Sequence, residues 1–451
     1  MTSESSSSGV GRIRPGRLFY QFLLAGSQAY ARWDLEISLN ILRNRRRRLL
    51  LGLLLLPIAV VGAAFAGDIG GALPQVLGGK QAYGPAYYTT TIFLASIAVG
   101  VVAGLITGCI GAGGGFIIAP ALMSAGVKGI LAVGTDLFHI FAKAIMGSVL
   151  HRKLGNISLS LAVTFLIGSV GGATVGGNIN RALYETNPVL SDAFITSIYV
   201  FILGFLSFYG LADYFKTRKV LAAPDSVQDA QACPADDMTG LARRVQSLRL
   251  PPMIRFDQGV VPGGRSISAV FLVASGFLVG IAAAIMGVGG GFLTFPIFVY
   301  VLGVSSATTV GTDILQIVFT AGYAGIAQYA IYGFIFYTLA MGMLLGSLIG
   351  IQVGTLVTKI VPGVTIRGFF ALAVTSAFVN RLFALPGKLA SLEFIPMGKD
   401  TGALVEGVGT GIFFVTLSAF ALWVFWTFFA NLRMLKGEEA IPEYDVQEKQ
   451  A

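Results

Sequence analysis

GCIGAGGGFIIAP, residues 108–120, sets a run of glycines and a proline inside an otherwise apolar stretch, and GVGGGFLTFP, residues 287–296, does the same. Gly111, Gly113, Gly114, Gly115, Phe116 and Pro120 match Gly287, Gly289, Gly290, Gly291, Phe292 and Pro296 in order and spacing. Further on, Gly134-Thr135-Asp136 matches Gly311-Thr312-Asp313, and Gly168, Gly172 and Gly176 match Gly346, Gly350 and Gly354. One glycine motif alone is weak evidence. Three in the same order at nearly constant offset mark an internal duplication.

The surroundings of these motifs are membrane-like. The 451 residues are 55% hydrophobic and 12% charged, with a mean hydropathy of +0.78, whereas soluble domains carry about 25% charged residues. Between Arg265 and Lys359 the single charged side chain is Asp313. Apolar runs of about 20 residues are read as transmembrane helices. The expected fold is therefore an all-α polytopic membrane protein. Cys109 and Cys233 form neither a disulfide framework nor a metal site with the two histidines, so no metal or cofactor is expected. The net charge of +9 sits beside apolar spans, where it sets orientation rather than binding nucleic acid.

Along the chain, residues 1–48 read as a cytoplasmic arm with an interfacial amphipathic helix from Leu18 to Leu42, ending in RNRRRR. An extra first span and an external loop fill 49–89. Ala64-Phe65-Ala66 resembles a signal-peptidase site, but the long segment ahead of the span argues against a cleaved signal. Repeat 1 covers 90–214, a cytoplasmic linker 215–266, and repeat 2 267–385. An external loop and a last span follow at 386–430, then a cytoplasmic tail at 431–451.

The lysines and arginines set the relative orientation of the repeats. If each glycine-interrupted element is a hairpin that enters and leaves on one side, three spans follow it in each repeat. That odd number makes the repeats inverted. Both termini then lie inside the cell with most of the basic residues, which satisfies the positive-inside rule. Lys80, Lys128, Arg181, Arg381, Lys388 and Lys399 fall outside, and Lys143 falls within a span.

Inverted repeats with broken helices are a common transporter design whose site lies near the bilayer midplane. At a break, the following half-helix presents N–H groups without intrahelical partners and the positive end of its dipole. Such groups must line protein or a water-filled cavity. GAGGGF and GVGGGF thus read as two facing cradles for a small anion. GGATVGG at 171–177 and GSLIGIQVG at 346–354 read instead as faces for close helix packing. A dinucleotide fingerprint would need a βαβ unit around the glycines, and these flanks are membrane helices.

Asp136, His139 and Lys143 share one helix face at i, i+3 and i+7, and Asp313, Gln316 and Thr320 repeat the spacing. Ionisable groups within a membrane default to functional candidates. The alternative for the two aspartates is a cap or structural role near a helix start. Candidate substrate contacts are the twelve duplicated hairpin positions together with Thr135, Asp136, His139, Lys143, Thr312, Asp313 and Gln316. No HExxH, GxSxG or paired-carboxylate motif points to an enzyme.

The duplicated G-x-GGG-F-x₃-P followed by G-T-D on an all-helical inverted repeat resembles the sulfite exporter TauE/SafE family, over about residues 90 to 385. The resemblance implies a carrier for sulfite, organosulfonates or related sulfur compounds in the cell membrane. It also implies that Gly111, Gly113 to Gly115, Pro120, Gly287, Gly289 to Gly291 and Pro296 lie in substrate-lining elements. The residue after Gly-Thr is often Ser in that family and is Asp here in both copies. The N-terminal arm, first span, long linker and last span are additions. Export of such an anion is the expected function. Uptake coupled to a proton or sodium ion, with an organosulfonate or carboxylate as cargo, and an anion channel are the alternatives.

Overall fold

The computed structural model describes residues 73–81, 90–110, 114–154, 157–222, 240–248, 250–257, 264–358, 360–361 and 363–432. The N-terminal arm, the first span, Gly111, Gly113, most of the linker with Cys233, and the tail lie outside the described residues. The fold is mostly helical, and seven described helices are long and apolar enough to cross a membrane.

Repeat 1 contains α1 (Thr90–Ile110), the short α2 (Gly115–Ser124), α3 (Gly129–Leu154), α4 (Leu159–Thr186) and α5 (Pro188–Ala222). Repeat 2 contains α7 (Ala269–Met286), the short α8 (Gly291–Pro296) running into a π-helical turn (Ile297–Val301), α9 (Ser306–Tyr323) with a π segment (Ala324–Ala330), α10 (Tyr337–Val357) and α11 (Gly363–Ser391). A final helix, α12 (Lys399–Ala430), packs on α11 through Phe369, whose ring centroid lies 4.3 Å from that of Trp423.

The linker adds something that apolar periodicity did not announce. Helix α6 (Gly240–Ser247) precedes an antiparallel pair, β1 (Met253–Phe256) and β2 (Arg265–Ser268). The expectation of an all-α chain is corrected by this small sheet. Its role is to hold the outer end of the second hairpin. Arg265 donates to Gly303 O at 2.8 Å and Gln246 to Leu302 O at 2.8 Å. Asp257 accepts from the Ser305 amide at 2.9 Å, which fixes the N-cap of α9.

Both glycine-broken elements turn back on themselves. Gly114, at φ +68°, is the residue before α2, and a Cβ there would lie 2.8 Å from Ala103 O and 2.7 Å from Thr107 Oγ1 of α1. The far end of α2 (Ala121, Leu122, Ala125) shares one cavity of about 670 Å³ with Ile92, Ala95 and Ser96 at the start of α1. In repeat 2, Gly290 at φ +90° abuts Val279. Leu302 and Val304 join Ile267 and Leu272, at the start of α7, in one apolar cluster.

The main seams join one repeat to the other. On α1, a Cβ at Gly100 would lie 2.3 Å from Met343 O and one at Gly104 2.5 Å from Ser347 O. On α10, a Cβ at Gly346 would lie 2.0 Å from Ile97 O and one at Gly350 2.2 Å from Val101 O. The partner number rises with residue number on both helices, so α1 and α10 run in the same direction. Helices α4 and α7 make the matching seam: a Cβ at Gly168 would lie 2.0 Å from Val273 O and one at Gly172 2.0 Å from Phe277 O. These stripes are packing faces in which backbone touches backbone.

Several helices outrun the apolar segments read from sequence. α4 continues to Thr186 and α11 to Ser391, so Arg181 and Arg381 lie within helices and are buried. The longer helices arise because each arginine finds internal acceptors. Arg181 donates to Gln328 O and Oε1, both at 2.7 Å, and Arg381 donates to Asn380 Oδ1 at 2.7 Å and Pro120 O at 3.3 Å.

Candidate substrate site at the hairpin tips

The two tips touch. A Cβ on Gly115 would lie 3.1 Å from Val288 Cα, and one on Gly287 would lie 2.7 Å from Val133 Cα of α3. The ring centroids of Phe116 and Phe292, one residue into each half-helix, are 6.3 Å apart. Gly114, Gly115, Phe116, Pro120, Gly287, Gly289, Gly290, Gly291 and Phe292 are all buried, while Pro296 is partly exposed.

Behind each tip stands the same pair of side chains. The Cβ position of Gly115 is 3.3 Å from Asp136 Oδ2 and 2.7 Å from Ile140 Cδ1. That of Gly291 is 3.2 Å from Asp313 Oδ2 and 2.7 Å from Ile317 Cδ1. Glycine is required because the carboxylate and the isoleucine occupy the space a side chain would fill. Ile140 also lies against Gly289, so the shared space between tips has apolar as well as polar walls.

Asp136 and Asp313 lie well inside helices that begin at Gly129 and Ser306, and Ser305 caps α9. Neither aspartate is an N-cap. Beyond them the repeats diverge. Asp313 Oδ1 accepts from Gln316 Nε2 at 2.8 Å, and Gln316 Oε1 accepts from Thr320 at 2.8 Å, which is itself 2.8 Å from Ser169 Oγ on α4. In repeat 1, His139 Nε2 lies 3.0 Å from Ser347 Oγ on α10, and Lys143 donates to Thr107 Oγ1 at 3.2 Å. His139 Nδ1 is 3.6 Å from Asp136 Oδ1.

Thr135 and Thr312 are engaged elsewhere. Thr135 Oγ1 accepts from the Phe336 amide at 2.9 Å, just before α10, and Thr312 Oγ1 accepts from the Ser158 amide at 3.0 Å, just before α4. Each hydroxyl fastens the start of a helix in the opposite repeat. The carbonyls that end α7, just before the second break, are also covered. Asn180 donates to Ile285 O at 3.1 Å, Tyr329 to Ala284 O at 2.6 Å, and Tyr199 to Met286 O. Such terminal carbonyls lack intrahelical partners and need donors from outside.

A family model described as "Sulfite exporter TauE/SafE" matches residues 96–381, more than half of the chain. The chain belongs to this family. The TauE/SafE match begins within α1 and ends at Arg381, so it takes in both hairpins and both seams. Curated relatives are named as transporters. The "Probable membrane transporter protein YjnA" of Bacillus subtilis (strain 168) is 24% identical over 259 residues, which is 57% of this chain and 87% of the relative. The "Probable membrane transporter protein YunE" of the same organism is 23% identical over 276 residues, 59% of this chain and 89% of the relative. A "Probable membrane transporter protein" of Xylella fastidiosa (strain 9a5c) is 24% identical over 272 residues, 59% of this chain and 85% of the relative. No solved structure gives a significant match. With its apolar helices, this TauE/SafE member is a multi-pass membrane transporter.

Sequence reading missed Asn180, Arg181, Tyr199, Tyr329 and Arg381 around the tips. A signal existed for the arginines: apolar residues continue past each, as in AFVNRLFALPG at 377–387. The tyrosines and Asn180 carry no local signal, because their acceptors are carbonyls distant in sequence.

Proposed function

We propose that this transporter is a secondary carrier of a small anion, with sulfite or an organosulfonate as its cargo, and that it works as two inverted repeats across the cell membrane. The observation that carries this reading is the contact of two glycine hairpin tips, each opening a half-helix and each backed by a carboxylate. Half-helix N-termini favour anions through their amides and dipoles. Support for inversion comes from direction. Each hairpin returns along its own first helix, three helices follow it, α1 runs parallel to α10, and α7 runs parallel to α4. Counting crossings, α4 opposes α1, and so α7 opposes α1 as well. By the positive-inside rule, the distribution of basic residues supports a cytoplasmic position for both chain ends.

An anion leaving a cell with a negative interior gains about 2.3 kcal/mol per unit charge per 100 mV. Export therefore needs no coupling ion. A second reading, proton- or sodium-coupled uptake of an organosulfonate or carboxylate, is favoured by the buried Asp136–His139 pair. Proteoliposomes with imposed potential and pH gradients separate the two. Flux of sulfite or methanesulfonate driven by potential alone supports uncoupled export. Flux that requires a proton or sodium gradient supports coupled uptake, and ohmic single-channel currents would replace the carrier by a channel.

A further inference from the structure

Asp136 and His139 are both fully buried. Among the described residues, Nδ1 of His139 and both carboxylate oxygens of Asp136 accept or donate no hydrogen bond of ordinary geometry, although the backbone at Ala119 lies close enough to act on the carboxylate. The other ring nitrogen decides which hydrogens are present. The Ser347 hydroxyl lies 3.1 Å from Leu344 O and 3.0 Å from His139 Nε2, so it can donate to the carbonyl while accepting from Nε2–H, or donate to Nε2 itself. Nδ1 correspondingly turns either a lone pair or a ring proton toward Asp136 Oδ1, 3.6 Å away.

A lone pair facing an ionised carboxylate is repulsive, and at 3.6 Å even an Nδ1–H is too far for a hydrogen bond of ordinary length, so an ionised Asp136 is a poorly paired buried charge. One added proton removes the conflict. It can sit on Oδ1 and donate to Nδ1, or on Nδ1 and face the carboxylate. Repeat 2 solves the same problem without a proton. There Gln316 stands in the place of His139, and its amide gives Asp313 a permanent donor at 2.8 Å.

We propose that Asp136 and His139 together bind a single proton, and that repeat 1 alone carries the coupling proton of the transport cycle. The coupling half of this proposal rests on the second, proton-coupled form of the carrier reading. The site also has a mechanical outlet, because Asp136 Oδ2 lies against Gly115 at the start of α2. Loss of the proton leaves a poorly paired buried carboxylate at the hairpin tip, so proton release and rearrangement of that tip go together. The charged and titratable groups acting on Asp136 are Lys143 on the same helix, which donates to Thr107, and Tyr199 of α5, which donates to Met286 O. From α10 the facing group is Ser347, which does not titrate, and Asp313 on α9 is engaged by Gln316.

Infrared difference spectra of the purified, substrate-free protein between acid and alkaline buffer test the site. A titrating carboxyl or imidazolium band is expected in the wild type, lost in Asp136→Asn and in His139→Gln, and kept in Asp313→Asn. An Asp136→Asn spectrum identical to wild type overturns the site. Proteoliposomes with an entrapped pH dye test the coupling, with methanesulfonate as probe because its charge does not change with pH. Proton movement in step with methanesulfonate flux is expected, and flux without proton movement overturns the coupling. Absence of both sulfite and methanesulfonate flux would remove the carrier reading and the coupling with it, while the infrared band would still stand.

Discussion

Gly115 and Val288 meet between the two glycine breaks so closely that a Cβ on Gly115 would lie 3.1 Å from the Val288 α-carbon. One residue starts the half-helix of repeat 1 and the other belongs to the tip of repeat 2. The two hairpin tips therefore meet backbone to backbone, and substitutions there report on both hairpins together.

Gly114 and Gly290 have left-handed φ values of +68° and +90°. A valine at either position adds backbone strain of about 1–2 kcal/mol and collides with Ala103 O or Val279. Gly114→Val and Gly290→Val are expected to abolish flux in proteoliposomes while the proteins still insert and purify as monodisperse species. Flux at the wild-type rate would remove the tips from the transport path.

Lys143 reaches Thr107 from the repeat 1 side, whereas its counterpart in repeat 2 is the neutral Thr320. If Lys143 faces the anion, Lys143→Ala weakens binding at least tenfold, about 1.4 kcal/mol, and more than Asp313→Ala does. Titration calorimetry with sulfite and methanesulfonate on purified variants gives the comparison. Equal, small effects return both residues to a structural role.

The glycine seam discriminates sharply between neighbours. A Cβ at Gly172 would lie 2.0 Å from Phe277 O, but one at Gly171 lies 3.7 Å from the nearest atom, the edge of the Phe277 ring. Overpacking costs about 1–3 kcal/mol. Gly172→Ala is expected to lower the thermal midpoint clearly and Gly171→Ala to leave it unchanged, as read by a thiol-independent melting assay in detergent.

Arg381 is fully buried and ties α11 to Pro120 O, Ser124 and Asn380 at the end of the first hairpin. Hydrogen bonds to a charged donor are worth about 1.5–3 kcal/mol each. Arg381→Ala should therefore lower the melting midpoint strongly, and Arg381→Lys should recover only part, since an ammonium cannot span the three acceptors with a planar fork.

The mostly helical, multi-span fold was legible in sequence because apolar runs of about 20 residues recur along the chain. Gly168, Gly172 and Gly176 were legible as packing glycines for a similar reason: their spacing of four places them on one helix face. Thr135 and Thr312 were not, since their hydroxyls answer amides that local pattern cannot connect to them, at Phe336 and Ser158. The burial of Arg181 and Arg381 was not legible, because the acceptors each meets, at Gln328 and Pro120, are distant in sequence. The small sheet escaped notice because its strands, four residues each, are too short to show alternation.

The seam between α1 and α10 also fixes what lengths these helices can tolerate. One extra residue rotates everything beyond it by about 100°. Inserted between Gly100 and Gly108, it would swing the bare stripe toward lipid and drive a side chain into the carbonyls of the neighbouring helix. Insertions and deletions are thereby confined to the loops, and a relative carrying one inside α1 must carry a compensating shift of glycines on the same helix.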